Sequence, residues 1–327
     1  MSELTFYDSV ETARRALDAE KPDLAFIDSL RGVDLSDADA TLAFLQPQLH
    51  RVEQAIYMTK YPEANYAEFM PVDTQGDVWT PGSIHFSGDI TGKPEWFDVA
   101  ADDMPYAEFS RTQFLQENHI RAIGLRWTRA DLEKGQRLGV DMVSGKVDAA
   151  NKSAERDIHK IATVGDGVKF TTGFFNNPLV TSVAAGATLA ASTPDEAVTI
   201  VNAALTSVEV NTGETMQADT LALPTGVYNG LVSRRMTDTN MTVLRYIQEN
   251  SVVPNLTIKK TRHLTTSMIA YANTPEAHRF HLPGGGLQLG PDWQVGHYVW
   301  ARPGIYATGG YECRLPKAFT KYTGVAA

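Results

Sequence analysis

Val78-Trp79-Thr80-Pro81-Gly82-Ser83-Ile84-His85-Phe86 and Trp96-Phe97-Asp98-Val99 lie inside a stretch, residues 63–109, that carries ten carboxylates against a single base, Lys93. The acids are Glu63, Glu68, Asp73, Asp77, Asp89, Glu95, Asp98, Asp102, Asp103 and Glu108, so this stretch holds −9 of the chain's net −10. Pro71, Gly76, Pro81, Gly82, Gly88, Gly92 and Pro94 cut it into short pieces. The runs Val78-Trp79, Ile84-His85-Phe86 and Trp96-Phe97-Asp98-Val99 favour strand over helix. The expectation is a long, acidic, two-armed β-excursion. A two-stranded ribbon is marginal by itself in water, so one bearing Trp79, Phe86, Trp96 and Phe97 must lie on something else. An acidic arm followed by a long helix points to a protein that works by interlocking with copies of itself.

Outside that stretch 28 bases face 29 acids, a near-neutral remainder. The acidic balance argues against nucleic-acid binding as the main task, because phosphate contacts need a surplus of Lys and Arg. An apolar content of 43% with 21% charged residues excludes a disordered chain and allows one large core or two smaller ones over 327 residues. A lone cysteine, Cys313, excludes an internal disulfide and a cysteine-built metal site, and suits assembly in a reducing cytoplasm. The start, Met1-Ser2-Glu3-Leu4-Thr5, lacks the regions of a signal peptide. No apolar run approaches the roughly 20 residues that span a bilayer.

Residues 1–60 read as helical: Asp8 with Glu11 resembles a capping box, and Leu42, Leu45, Leu49, Val52 and Ile56 share a face that Pro47 should kink. After the arm, Thr128 with Asp131 opens a helix whose inner stripe runs Leu132, Gly135, Gly139, Met142, Ala150, Ala154, Ile158 and Ile161, with Gly165 as its stop. Unbroken it would be about 50 Å long. Gly135, Gly139 and Gly145 each cost about 1 kcal/mol relative to Ala and leave its continuity open. Residues 111–169 hold eleven bases against eight acids, net +3, opposite in sign to the arm.

Beyond Asn176-Asn177-Pro178 the pattern turns α/β. Thr193, Pro194 and Glu196 introduce a helix through Ala197, Ile200, Val201, Ala204 and Val208. Residues 220–223 form a buried-strand candidate that ends at Pro224. A helix after Asp238 should turn Met241, Leu244 and Ile247 inward. Residues 256–259, 267–271, 295–300 and 304–314 read as strands.

The histidines His278, His281 and His297 are the one cluster that suggests a metal. Ligands must converge at about 2.0 Å with a supporting carboxylate, and no acid lies between Ala277 and Pro291; strand or surface histidines explain the spacing better, since short histidine spacings are common by chance. Gly284-Gly285-Gly286 lacks the Lys-Ser/Thr of a P-loop and the strand-loop-helix order of a dinucleotide fingerprint. Gly165-Asp166-Gly167 falls at a helix end, where a glycine stop suffices. Asp102-Asp103 makes a poor acid–base dyad, because consecutive strand residues point to opposite faces. No cofactor and no catalytic constellation emerges.

Tyr61-Pro62-Glu63, the acidic arm, Ala101-Asp102-Asp103-Met104-Pro105, the Thr128-capped helix, Leu221-Ala222-Leu223-Pro224 with Tyr228, Val243-Leu244-Arg245-Tyr246-Ile247-Gln248-Glu249-Asn250 and Ile269-Ala270-Tyr271, taken in order and spacing, resemble the major capsid proteins of tailed bacteriophages. The resemblance runs from about residue 61 to 322. It implies an α+β class, the phage capsid or Johnson fold: an N-terminal arm (1–60), an extended β-hairpin E-loop (61–110), a P-domain with a long spine helix (111–176), an α/β A-domain (177–278) and a return to the P-domain sheet (279–327). It further implies a structural subunit of the virion, assembled in the host cytoplasm into hexamers and pentamers that form an icosahedral head around double-stranded DNA. The partners it implies are other copies of the chain, a portal protein, a separate scaffolding protein and a decoration protein, with no membrane. Trp79, Phe86, Lys93, Trp96, Phe97, Asp98, Asp102 and Asp103 become its inter-subunit residues. In some capsids of this fold an E-loop lysine joins an asparagine of a neighbour by an isopeptide bond, and Lys93 is the lysine so singled out; a lone lysine in a turn is also an ordinary solvated residue. Encapsulin shells share the fold, and fold does not fix function. A metal-dependent hydrolase built on His278, His281 and His297 is the third reading.

Overall fold

The computed structural model describes residues 61–96, 104, 106–138, 142–237 and 239–326. The helices read in residues 1–60, and the arm residues Phe97, Asp98, Asp102 and Asp103, lie outside them. A helical turn α1 (Tyr66–Phe69) and strand β1 (Val72–Asp73) lead to the paired strands β2 (Gly82–Thr91) and β3 (Glu108–Glu117). Strands β4 (His119–Ala122) and β5 (Leu125–Thr128) follow, then helices α2 (Arg129–Leu138) and α3 (Met142–Thr163).

Thr128 caps α2 as expected: its Oγ1 accepts from the Asp131 N–H at 3.2 Å, and Asp131 Oδ2 accepts from the Thr128 N–H at 3.2 Å. Helices α2 and α3 flank residues 139–141, which are not described. The 22 residues of α3 span about 33 Å, with Ala150, Ala154, Ile158 and Ile161 buried along one side. Gly165, at φ 93°, closes the helix by donating to the Lys160 carbonyl at 2.9 Å. Asp166 does more than the glycine-stop reading allowed. Its Oδ1 accepts from the N–H groups of Val168, Lys169 and Phe170, while its carboxylate pairs with Arg121, which also grips Asp157 of α3 at 2.9 Å.

The second part of the chain contributes β6 (Thr181–Ala184), α4 (Pro194–Thr212), β7 (Thr220–Pro224), α5 (Thr225–Ser233), α6 (Val243–Asn250), β8 (Thr257–Thr261) and β9 (Ser267–Tyr271). The last contributes β10 (His278–His281), β11 (Gln288–Leu289), β12 (Trp293–Gly296), β13 (Val299–Arg302), β14 (Gly304–Thr308), β15 (Gly310–Cys313) and β16 (Phe319–Thr323). Thr193 and Glu196 complete a reciprocal capping box at α4, which ends on Gly213 in the left-handed region. Helix α6 starts later than the sequence suggested: Thr242, not Asp238, caps it, because residues 235 and 242 first close a small antiparallel bridge. The two expected closing strands are four, interrupted by a turn at His297-Tyr298 and at Gly309, after which Gly310 starts β15 at φ +76°, a conformation glycine permits.

A five-stranded sheet in the order β6-β16-β9-β7-β8 organises the molecule. Residues 220–224 and 267–271 are buried throughout, and alternation sends their side chains to two different cores. Leu221, Leu223, Met268, Ala270 and Tyr322 join Val201, Leu205, Val208 and Ile247 under α4–α6. Ala222, Ile269, Tyr271 and Phe319 face Phe69, Ile158, Ile161, Phe174 and Phe280 on the α3 side. Lys259 of β8 donates to the Glu68 carbonyl, and Tyr271 donates to the Phe69 carbonyl at 2.9 Å.

One polar contact crosses from α3 to the loop after β8. His159 and His263 meet Nε2 to Nε2 at 2.9 Å, so one ring must be the donor and the other a neutral acceptor. Burial, then the charges of His263 and Arg262, push His159 down to about 4; burial, then Arg262, also lowers His263. The folded chain therefore refuses protons that the unfolded chain takes up, and this contribution to stability is lost as pH falls from about 6.5 towards 4. Urea titrations across that window should show a falling midpoint that His159→Gln flattens; equal slopes in both proteins would refute the contact's role.

Candidate assembly interface

The ribbon is the candidate functional surface. Strands β2 and β3 pair antiparallel without a slip from Gly82 opposite Glu117 to Thr91 opposite Glu108, a length of roughly 30 Å. The pairing corrects the expected strands. Val78 and Trp79 form a turn, Ile84-His85-Phe86 lies within β2, and Trp96 has no regular structure. The return strand is Glu108–Glu117, which residue chemistry did not flag because the acids that drew attention to the arm are absent from its middle.

Alternation gives the ribbon two unlike faces. One carries Ser83, His85, Ser87 and Asp89 with their partners Gln116, Phe114, Thr112 and Ser110. At its base this face meets the subunit's own body: Ser83 Oγ is 3.3 Å from His281, His85 Nδ1 is 2.7 Å from Glu312, and Gln116 donates to the Gly309 carbonyl. The opposite face carries Ile84, Leu115, Phe86, Ile90 and Phe109, which are 53%, 59%, 66%, 78% and 57% exposed. Gly88 belongs to this face by necessity, since a Cβ there would stand 2.3 Å from the Phe109 ring that lies across it. Arg111 then covers Phe109, its guanidinium carbon 5.3 Å from the ring centre.

Of the residues predicted from sequence, Phe86 falls on this outer apolar face. Trp79, 69% exposed, stands on the turn before the ribbon, held by Asp77 and Thr80 while Val78 is buried beneath it. Lys93 and Trp96 lie past the paired strands and are exposed, Trp96 at 105%. The structure does not bring these side chains into one patch. Reading residues by type missed Ile84, Ile90, Phe109 and Leu115; the signal that could have found them is the paired alternation of residues 82–91 and 108–117.

The histidines do not converge either. His278 and His281 point to opposite faces of β10, and His297 is exposed at a turn. His278 packs edge-on to Tyr271 and Phe319, and burial pushes it down to about 3. Among the described residues no group of His, Cys, Asp and Glu is arranged to hold a metal ion. No described helix is long and apolar enough to cross a membrane.

Residues 92–325 match the major capsid protein family. The chain belongs to this family. Its fold is that of tailed-phage capsids: the capsid of Myoviridae phage XM1 aligns at a TM-score of 0.74 with 18% identity, covering 85% of this chain and 97% of that one. The capsid of a native GTA particle aligns at 0.58 with 12% identity over 85% and 95% of the two chains. A structure from Mycobacterium phage Che8 aligns at 0.56 with 10% identity over 85% and 97%. No curated protein matches the sequence. The chain is thus a structural protein of the virion with the α+β Johnson fold implied by its sequence resemblance.

Among the described residues the outer face of the ribbon forms no part of a buried core. In this capsid protein Phe86→Ser and Ile90→Ser should therefore change the unfolding free energy of the free subunit by no more than about 0.5 kcal/mol. A loss above about 2 kcal/mol, the size expected for a core side chain, would mean that the ribbon folds back onto its own body.

Proposed function

We propose that the chain assembles into hexamers and pentamers that close an icosahedral head around double-stranded DNA, with the apolar face of the ribbon laid on a neighbouring copy. One observation carries this reading: Ile84, Phe86, Ile90, Phe109 and Leu115 share one exposed face of the ribbon, with Gln113 and Arg111 between them, and among the described residues no other element covers it. In this reading the ribbon is the E-loop, α3 the spine helix, and the part built on α4–α6 the A-domain. Trp79, Phe86, Trp96 and Phe97 anchor the contact, since aromatic side chains supply most of the energy of such interfaces. Lys93, Asp98, Asp102 and Asp103 contribute charge to the same contact.

The acidic arm repels itself, while residues 111–169 are net +3 and residues 232–262 net +4, which makes those the complementary surfaces on a neighbour. Exposed ion pairs contribute under about 1 kcal/mol each, so charge selects register and the apolar strip supplies affinity. The subunit has no catalytic role. Its net charge of −10 suits a shell through which packaged DNA must slide. A portal protein, a separate scaffolding protein and a decoration protein complete the particle.

Electron microscopy of the purified protein tests the whole reading, with DNA-filled or empty icosahedral shells as the expected outcome. Shells loaded with an enzyme cargo would favour a nanocompartment instead. Phe86→Ser combined with Ile90→Ser should leave folded subunits that sediment without forming shells. Single Asp98→Asn or Asp102→Asn changes should slow assembly mildly and in a salt-dependent way. Shells formed normally by the double variant would remove the ribbon from the interface.

A further inference from the structure

The one charged tie between the described ribbon and its own body runs through a single carboxylate. Glu312 lies in β15 and is 8% exposed. Its Oε1 is 2.7 Å from Nδ1 of His85 on the ribbon. Its Oε2 lies 2.8 Å from Nε2 of His281 on β10 and 3.0 Å from Nε of Arg314. On its other side the His281 ring meets Ser83 Oγ of the ribbon at 3.3 Å and faces Asp73 of β1 at 3.6 Å, which pairs with Arg279 at 3.5 Å. The neighbouring groups on β15 are uncharged: burial pushes the Cys313 thiol up to about 11 and raises the Tyr311 hydroxyl well above its ordinary range.

A carboxylate only accepts, so His85 presents Nδ1–H and His281 presents Nε2–H to it. Burial by itself would raise Glu312. The hydrogen bond from His281 and the Arg314 charge outweigh it and hold the group below the usual carboxylate range, so it is anionic at neutral pH. A buried charge held by three donors stays where all three can reach it. The remaining tie is neutral, a single bond from Gln116 to the Gly309 carbonyl. At Gly309 the backbone lies so near that a Cβ would stand 2.5 Å from Asn118 Oδ1 and 2.9 Å from His281 Cβ.

We propose that Glu312 is a clasp: by holding His85 of the ribbon and His281 and Arg314 of the body at once, it fixes the direction in which the ribbon leaves the free subunit. The ribbon is then presented to a neighbour at a preset angle, and assembly does not have to order it. This consequence rests on the ribbon being the assembly element, whereas the geometry can be tested without any assembly. A neighbouring copy needs the outer apolar face, and the clasp uses only the opposite one.

The test is a pulsed electron-spin distance between labels at Ser110→Cys on the ribbon and Thr257→Cys on β8, in a Cys313→Ser background. Unassembled subunits separated by sedimentation are measured. The parent should give one narrow distance, and His85→Ala and Glu312→Gln should each lose it to a broad distribution while the melting temperature of the His85→Ala body is kept. If Glu312→Gln does not fold, His85→Ala decides alone, since it leaves Glu312 with His281 and Arg314. A narrow distance retained in His85→Ala, or a broad one in the parent, overturns the clasp. Failure to form shells would count against the proposed assembly and leave this measurement intact.

Discussion

Tyr271 sits where every layer of the subunit meets. It ends β9, is fully buried, stacks on Phe319 of β16 with ring centres 5.8 Å apart, meets Phe174 edge-on at 4.9 Å, and donates its hydroxyl to the Phe69 carbonyl. The aromatic group around it also includes His278 and Tyr311, so β10 and β15, the strands beneath the ribbon, are set by the same packing that joins the central sheet to α3. Dense interiors transmit displacement rather than absorb it. The position of Glu312, next to Tyr311, is thus fixed by a core that also orders the α/β half of the chain.

From that rigid body a two-stranded ribbon projects with one face anchored and the other apolar and bare. Among the described residues nothing covers the bare face, while the opposite face is committed to Ser83–His281, His85–Glu312 and Gln116–Gly309. The physical constraint on this capsid subunit is therefore the separation of two jobs onto two faces of one hairpin. Period-two alternation achieves it with no additional element. The same rule operates in the central sheet, where neighbouring residues such as Leu221 and Ala222 serve different cores.

Charge plays a smaller part than the composition first suggests. Of the arm's described acids, Glu63, Asp77 and Glu95 lie in loops, Glu68 in α1, Asp73 in β1, and Asp89 and Glu108 on the polar side of the ribbon, and the contacts that fix the ribbon's base use a buried Glu312 outside the acidic stretch. Inside the body, the His159–His263 pair links α3 to the sheet through neutral rings and makes the fold sensitive to acid.

Local signals were legible without coordinates where the interaction is local. The Thr128–Asp131 and Thr193–Glu196 caps, the Gly165 stop and the wholly buried strands at 220–223 and 267–271 all follow from contacts within a few residues, or from burial on both sides. The ordered set of motifs from Tyr61 to Tyr322 was enough to indicate the capsid family. The ribbon's partner strand, its outer face and the Glu312 clasp were not legible. Residue types state what can pair, but Ser83 meets His281 across 198 residues of sequence, and only tertiary structure closes a loop of that length. Register then decides which face each side chain occupies, since a slip of one residue would exchange the anchored face for the bare one.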